Sequence, residues 1–179
     1  MKAGDILLFK AEKMFSASWW IAWGTNSKYS HVAICVSPDM DLAIEAINGS
    51  GVRARNIRKI MQEYDVFRVR QENTYNLNGT ISYLVDKLNK KYDLKGVIWL
   101  GVLKLLAKIG LPLRNAANNW QIKRDYFCSE LCYEAFYRGG NLDIVPEVPE
   151  AAITSPGDIA KSSNLEQVEK AHKSQQLQA

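Results

Sequence analysis

Histidine and cysteine are scarce in this sequence, with two and three copies among 179 residues. The three cysteines, Cys35, Cys128 and Cys132, cannot all form disulfides within one chain, and a domain of this size does not need a disulfide to fold. The cysteines do not have C-x-x-C spacing and the histidines do not form an H-x-x-x-H pair, so the usual zinc-site patterns are missing. We therefore expect reduced thiols, no metal and no cofactor.

A long hydrophobic segment is also missing. The most apolar stretch, residues 96–113, is interrupted by Lys104 and Lys108 and is shorter than the roughly 20 apolar residues that cross a bilayer. The beginning of the chain has neither the basic start nor the apolar run of an export signal. These features predict a cytoplasmic protein without a transmembrane helix.

Neither sign of charge dominates the composition. The 23 basic and 19 acidic residues give a net charge of +4, and the basic residues are scattered, so we expect no nucleic-acid partner. With 47% hydrophobic and 23% charged residues, the chain has the profile of an ordinary globular protein. We predict one domain over residues 1–168 and a polar C-terminal tail over 169–179.

The spacing of apolar residues indicates strands first and helices later. Residues 31–37 and 42–48 flank a turn that contains proline, which predicts a β-hairpin. From residue 81 the apolar positions recur at helical spacing, and Gly139 and Gly140 end a second helical pattern. Four or five strands should form an antiparallel meander. The predicted strands cover residues 4–9, 31–37, 42–48, 51–55 and 64–69, the predicted helices cover 11–23, 81–91 and 128–136, and a loop covers 142–156.

His31 begins an apolar strand, whereas His172 lies in a polar segment, so His31 is the better candidate for a catalytic base. On composition alone, a strand histidine bonded to a neighbouring carbonyl is an equal alternative. A three-residue turn in the hairpin would place Glu45 opposite Ala33 and diagonal to His31. A register shifted by one residue would place Glu45 among the valines, so the apolar pattern favours a pair of Glu45 with His31. The alternative for Glu45 is a solvated strand residue.

Cys128 stands at the start of a predicted helix, where unpaired N–H groups and the helix dipole favour a thiolate. A thiolate, an imidazole and a carboxylate that orients the imidazole form a complete set for acyl transfer. Cys35 lies between Ile34 and Val36, and Cys132 lies one helical turn after Cys128, so we predict that both pack in the core. A buried small hydrophobe is the alternative for Cys128 as well.

Six short motifs, each weak alone, occur in a specific order along residues 4–168. In this order and spacing the sequence resembles the circularly permuted papain-like branch of the NlpC/P60 superfamily, the YiiX-like and YaeF-like amidases. In that family the histidine precedes the nucleophilic cysteine, as it does here. The motifs are Gly4-Asp5-Ile6, Tyr29-Ser30-His31-Val32-Ala33-Ile34, Ile44-Glu45-Ala46, Tyr92-Asp93, Tyr126-Phe127-Cys128-Ser129-Glu130-Leu131 and Thr154-Ser155-Pro156-Gly157-Asp158-Ile159.

The resemblance implies an α+β, circularly permuted papain-like fold in which an antiparallel sheet packs against the nucleophile helix. It implies Cys128 as nucleophile, His31 as base and Glu45 as the third member. It also points to Tyr126 as a contributor to the active site, for which packing at the helix entrance is an equal alternative. The expected activity is that of a cysteine amidase or peptidase that acts on a small peptide or amide substrate without a cofactor.

Two other functions stay open. A lipid thiol acyltransferase or lipase would use the same residues and take its acyl group from an ester. Residues 96–113 would then contact lipid. The preferred interpretation of that segment is a core helix with Lys104 and Lys108 on its solvent-exposed face. The third reading is a binding module that keeps the fold without turnover. The sequence specifies neither the physiological substrate nor the oligomeric state.

Overall fold

The protein is an α+β structure built on one antiparallel sheet. A computed structural model describes residues 1–11, 27–91, 126–148 and 154–172. In these ranges the strands are β1 (Ile6–Lys10), β2 (Tyr29–Ser37), β3 (Leu42–Ile47), β4 (Gly51–Asn56), β5 (Tyr64–Val69) and β6 (Leu165–His172). They form a six-stranded sheet in the order β4-β3-β2-β1-β5-β6, and each strand is antiparallel to its neighbours.

The described α-helices follow β5 in the chain, and the first and last of them begin with side-chain caps. Asn76 caps the first helix by accepting a hydrogen bond from the Gly79 N–H (2.9 Å), and Ser155 caps the last one, where Pro156 occupies the first turn. Within the described ranges, no helix is long and apolar enough to cross a membrane. The helices are α1 (Leu77–Asp86), α2 (Cys128–Glu134), which continues as a π-helical turn (Ala135–Gly139), and α3 (Pro156–Lys161), and a 3₁₀ turn covers Ile57–Lys59.

The main core lies between the sheet and the helices. Val32 and Ile34 of β2 and Ile44 of β3 are buried there against Leu131 of α2 and Ile159 of α3. These strand residues alternate with residues on the other face, as the period of a β-strand requires. Helix α2 is thereby fixed over β2 and β3, and its first residue, Cys128, belongs to the same core.

A smaller apolar cluster covers the opposite face of the sheet. Leu7, Phe9, Ala33 and Cys35 are buried there, and the 3₁₀ turn closes the cluster with Ile57. Near the start of β2, the His31 ring packs against Phe9 of this cluster at a ring-centroid distance of 5.3 Å.

All five predicted strands are present, and the predicted meander of four or five strands contains four of them. Strands β1 to β4 form the predicted meander, whereas β5 pairs with the free edge of β1. Pairing with β1 buries Val66 of β5 in the second apolar cluster. If β5 paired with β4 instead, it would lie at the edge of the sheet and Val66 would be only half covered. The chain also has a sixth strand, β6, that was not predicted. It includes residues 169–172 of the predicted tail, and its polar side chains suit the edge of a sheet.

The predicted helices agree with the structure in part. Helix α1 begins at Leu77 because Asn76 caps it, four residues before the predicted start, and it ends at Asp86. Leu84 of its apolar stripe is buried, but Val85 is 51% exposed. The predicted loop over 142–156 ends one residue inside α3, which begins at Pro156. The predicted helix over 11–23, the segment 96–113 and the motif Tyr92-Asp93 lie outside the described residues, apart from residue 11.

Candidate active site

His31 and Glu45 form a hydrogen-bonded pair on neighbouring strands. Ala33 lies opposite Glu45 in the β2–β3 ladder, which is the register that the apolar pattern predicts, and the ladder shifts by one residue only near the turn. Glu45 is therefore diagonal to His31, and its Oε2 lies 2.8 Å from His31 Nε2. This contact leaves Nδ1 of the ring available on its other side.

Two arginines of β4 hold the other oxygen of the Glu45 carboxylate. Arg53 donates to Oε1 from Nε (3.0 Å) and from a terminal nitrogen (2.9 Å), and Arg55 donates to the same oxygen (3.3 Å). The Glu45 side chain is fully buried. Burial alone would raise the pKa of Glu45, but the hydrogen bond and charge of His31, together with Arg53 and Arg55, lower it to about 2. Glu45 is thus a carboxylate across the physiological pH range.

Sequence reasoning did not single out Arg53 and Arg55. Both lie in a predicted strand two residues apart, so their side chains share one face. Arg53 is the direct ladder partner of Glu45. The sequence did contain a signal for this contact, since arginines alternate with apolar residues in the strand that follows the one with Glu45. Pairing the arginines with Glu45 would also have required the register of the β3–β4 turn.

Cys128 is the first residue of α2, as predicted. The chain reaches it through Phe127, which is extended (φ −99°, ψ 166°), and Glu130 accepts a hydrogen bond from the Phe127 N–H (3.5 Å). The first N–H groups of a helix have no partner four residues earlier, so the Cys128 side chain stands beside unpaired backbone donors. The Cys128 side chain is also near enough to the His31 ring to raise the pKa of that ring.

The pKa of His31 is raised to about 9. Burial lowers the pKa of this imidazole, but the charge and hydrogen bond of Cys128 and then those of Glu45 raise it by more. His31 therefore carries a positive charge at neutral pH. An imidazolium that is bonded to a carboxylate and lies near a cysteine can donate its proton to a leaving group and then act as a base.

The other two cysteines occupy core positions, in agreement with the prediction. Cys35 is buried in β2, where burial and the charge of Asp5 raise its thiol pKa to about 11. Cys132 is buried in α2, and burial followed by the charge of Cys128 raises its thiol pKa further. Both thiols are protonated at neutral pH and have little nucleophilic character.

Tyr126 lies in a separate group of polar contacts. Its hydroxyl is 3.2 Å from the hydroxyl of Tyr83 in α1, and Tyr83 donates to Glu134 at the end of α2 (3.2 Å). Burial and the hydrogen bond to Tyr126 raise the pKa of Tyr83. The structure thus brings His31, Glu45 and Cys128 together and gives the Tyr126 hydroxyl a different partner. A contribution of Tyr126 to chemistry stays a prediction.

The residues around His31 do not fit a metal ion. Among the residues that the structure describes, no group of three histidine, cysteine or acidic side chains could hold one. Glu45 already has a cationic partner on each oxygen, and Arg53 and Arg55 bring positive charge to the position where a cation would bind. No step of the chemistry proposed below passes through a metal.

The fold has a counterpart among solved structures. No family model and no curated protein matches the chain. The crystal structure of YiiX from Escherichia coli O157:H7, which is described as a metalloprotein, superposes with a TM-score of 0.66 at 16% sequence identity. The match covers 94% of this chain and 97% of YiiX. At this identity the similarity concerns the fold, and the chain therefore has a YiiX-like fold.

Proposed function

We propose that this protein is a cysteine hydrolase that cleaves a peptide-like amide bond through a thioester on Cys128. The proposal depends on the His31 ring, which bonds Glu45 at 2.8 Å and whose pKa is raised by Cys128 at the start of α2. A nucleophile, a base and a carboxylate that orients the base are the parts that acyl transfer needs. The motif order and the YiiX-like fold support placing the chain in the circularly permuted papain-like branch of the NlpC/P60 superfamily.

In the first half of the reaction, His31 holds the proton of the Cys128 thiol while the sulfur attacks the amide carbonyl carbon. The carbonyl π electrons move to oxygen, and backbone N–H groups at the start of α2 stabilise the oxyanion. His31 then gives its proton to the amide nitrogen, the C–N bond breaks, and an amine leaves. The acyl group remains on Cys128 as a thioester.

In the second half, water replaces the amine in the site. His31 takes a proton from the water as its oxygen attacks the thioester carbonyl, and the C–S bond breaks to release a carboxylic acid. Glu45 stays ionised throughout, because two arginines and His31 lower its pKa to about 2. Its role is to orient the imidazole ring and to stabilise the ring when it is protonated.

Alkylation of the thiols tests the identity of the nucleophile. Wild-type protein at pH 7 should react with iodoacetamide at Cys128 alone, because buried Cys35 and Cys132 have raised thiol pKa values. Cys128→Ala should lose the label, whereas Cys35→Ala and Cys132→Ala should keep it at the wild-type rate. Equal labelling of all three variants, measured by intact mass, would contradict the assignment.

Detection of the acyl intermediate tests the reaction class. Wild-type protein incubated with an N-acylated dipeptide anilide at low pH and rapidly quenched should gain the mass of the acyl group. Cys128→Ala protein treated in the same way should keep its original mass. A parallel incubation with phosphatidylcholine vesicles tests the acyltransferase alternative. A long-chain acyl adduct on Cys128 without any peptidyl adduct would replace the amidase proposal by the lipid one.

A further inference from the structure

Arg55 has a pair of unused N–H donors next to Glu45. Its contact with the carboxylate involves one terminal nitrogen, Nη1, which donates to Oε1 at 3.3 Å. Arg53, in contrast, donates to the same oxygen from Nε (3.0 Å) and Nη2 (2.9 Å) together. A guanidinium carries five N–H donors. Among the residues that the structure describes, the Nε and Nη2 groups of Arg55 have no acceptor.

These two donors lie on one side of the planar guanidinium and point in parallel directions. Arginine binds a carboxylate or a phosphate with such a side, through two parallel N–H···O hydrogen bonds. The Arg55 side chain is 31% exposed, so a ligand from solution can reach it. Its partial burial also reduces the competition from water that a fully exposed arginine meets. The free side of Arg55 therefore has the donors and the accessibility of a site for an anion.

Positive charge is in excess around this side chain. In the described ranges, Glu45 is the one carboxylate within ion-pair distance of Arg53 or Arg55. The other oxygen of Glu45 is occupied by the His31 ring at 2.8 Å. Even if a Cys128 thiolate balances the charge of His31, two arginines share a single carboxylate. The group thus carries at least one positive charge that no described carboxylate neutralises.

Glu45 connects the free donors with His31. The two oxygens of its carboxylate contact Arg55 Nη1 (3.3 Å) and His31 Nε2 (2.8 Å). These two nitrogens are no more than about 9 Å apart, because only the two contacts and the width of one carboxylate separate them. The Glu45 side chain is fully buried, and charges at this separation interact appreciably where water is excluded. An anion bound to Arg55 should therefore stabilise the imidazolium of His31.

We propose that the free side of the Arg55 guanidinium binds an anionic oxygen group, a carboxylate or a phosphate, and that Glu45 couples the bound anion to His31. The anion is either part of the substrate or a free ion, since both present the same oxygen atoms to the two donors. The consequence for turnover rests on the proposed hydrolysis, whereas the binding itself does not require Cys128.

Binding to the inert Cys128→Ala protein tests the site separately from catalysis. Sodium phosphate and sodium acetate are titrated at an ionic strength kept constant with sodium chloride. NMR follows the backbone amides and the arginine Nε–H groups, and Arg55→Lys identifies the Arg55 signal. Phosphate or acetate should shift this signal saturably, and at saturation the His31 ring should titrate about half a pH unit higher. An Arg55 signal that responds to neither anion, or an unmoved His31 midpoint at saturation, would overturn the proposal.

Two variants of Arg55 separate its charge from its paired donors. In the Cys128→Ala background, Arg55→Gln should weaken anion binding, measured from the backbone amides of β4, by at least about tenfold. Arg55→Lys should weaken it by about threefold, because an ammonium keeps the charge without the parallel donors. The matched control is Arg58→Gln, which removes an exposed arginine paired with Asp41 and should bind as before. The amide spectra also establish that each variant is folded. Wild-type affinity in Arg55→Gln, or equal weakening in Arg58→Gln, would contradict the assignment.

Turnover by protein with Cys128 intact identifies the source of the anion. If the anion belongs to the substrate, the anilide of an acidic peptide should have a higher kcat/KM than its glutamine counterpart, and phosphate should compete with it. Arg55→Gln should remove this preference, whereas a mere misorientation of Glu45 would lower both kcat/KM values alike. If the anion is a free ion, phosphate should change kcat/KM for the neutral anilide in wild-type protein and not in Arg55→Gln.

The same measurements separate this inference from the proposed function. Anion binding at Arg55 without any thioester on Cys128 would remove the hydrolase proposal and keep the site. A thioester on Cys128 in a protein whose Arg55 binds no anion would keep the hydrolase and remove the site. Hydrolysis that shows neither an acidic preference nor an effect of phosphate would overturn the coupling between Arg55 and His31.

Discussion

Glu45 and Arg53 lie directly opposite each other in the β3–β4 ladder, and Arg53 donates two hydrogen bonds to the carboxylate oxygen that His31 does not contact. The carboxylate is thereby divided, with one oxygen for the arginines and one for the imidazole. The arginines fix the orientation of the carboxylate and keep it ionised. They also withdraw part of its negative charge from His31, so they set how strongly Glu45 holds the imidazolium.

Replacement of Arg53 should therefore change the pH profile of the proposed hydrolysis. In Arg53→Gln the pKa of Glu45 should rise, because a hydrogen-bonded positive charge is removed, and the acid limb of kcat/KM should move to higher pH. At neutral pH, kcat/KM should fall roughly tenfold, which corresponds to one charge-assisted hydrogen bond of about 1.4 kcal/mol. Arg53→Lys should be intermediate. The control is Arg58→Gln, an exposed arginine paired with Asp41, and an unmoved acid limb in Arg53→Gln would refute the role.

Loss of the carboxylate itself should have a larger effect. Glu45→Gln removes the group that orients His31 and stabilises its cation, so kcat should fall by about 10²–10⁴-fold. The substitution also leaves Arg53 and Arg55 beside a neutral amide, which should lower the free energy of unfolding by about 1–3 kcal/mol. Both quantities are measured on one preparation, with the exposed Glu72→Gln as control. A Glu45→Gln protein with wild-type kcat would exclude Glu45 from the mechanism.

The pair of His31 and Glu45 could be predicted because side chains in a strand alternate with a period of two. Val32 and Ile34 need a buried face, and that need fixes the parity of His31. The hairpin then relates β2 to β3 within a short stretch of chain, so local information sufficed for the register. The position of Cys128 at the start of a helix could also be predicted from local information, because the spacing of apolar residues and two glycines indicate where that helix lies.

The rest of the site depends on pairings between distant parts of the chain. The contacts of Arg53 and Arg55 with Glu45 require the register of a second turn, and the partner of β5 could not be read from its own pattern. Strand β6 contains several polar residues, which an edge strand tolerates, and such a segment is easily taken for a tail. The hydroxyl of Tyr126 meets Tyr83 only because α1 packs beside the end of α2.

The raised pKa of His31 gives a direct spectroscopic prediction. In wild-type protein, the ring protons of His31 should titrate near pH 9 by NMR, because Cys128 and Glu45 outweigh the effect of burial. In Cys128→Ala the side chain that raises the pKa of His31 is gone, so the midpoint should move to lower pH. His172, the other histidine of the chain, serves as the internal reference. An unchanged His31 midpoint in Cys128→Ala would show that the two side chains do not interact.

The same pKa values predict how stability depends on pH. The folded pKa of His31 lies above its unfolded value of 6.5, so its contribution is fully present below about pH 6.5 and is lost as pH rises through about 9. The folded pKa of Glu45 lies below 4.5, so its contribution is present above about pH 4.5 and is lost as pH falls towards 2. Urea unfolding should show both slopes in wild-type protein. His31→Gln should flatten the alkaline slope, and an alkaline slope of wild-type steepness in that variant would contradict the assignment.

Removal of the Tyr126 hydroxyl decides between chemistry and support for that residue. Because the hydroxyl contacts Tyr83, which in turn donates to Glu134, Tyr126→Phe should lower the free energy of unfolding by about 0.5–1.5 kcal/mol and leave kcat within roughly threefold of wild type. Tyr83→Phe removes the hydrogen bonds to both Tyr126 and Glu134 and should destabilise the protein more. In the double variant the two losses should not add, because the residues share one hydrogen bond. A fall in kcat beyond about tenfold with unchanged stability in Tyr126→Phe would instead assign this hydroxyl to the reaction.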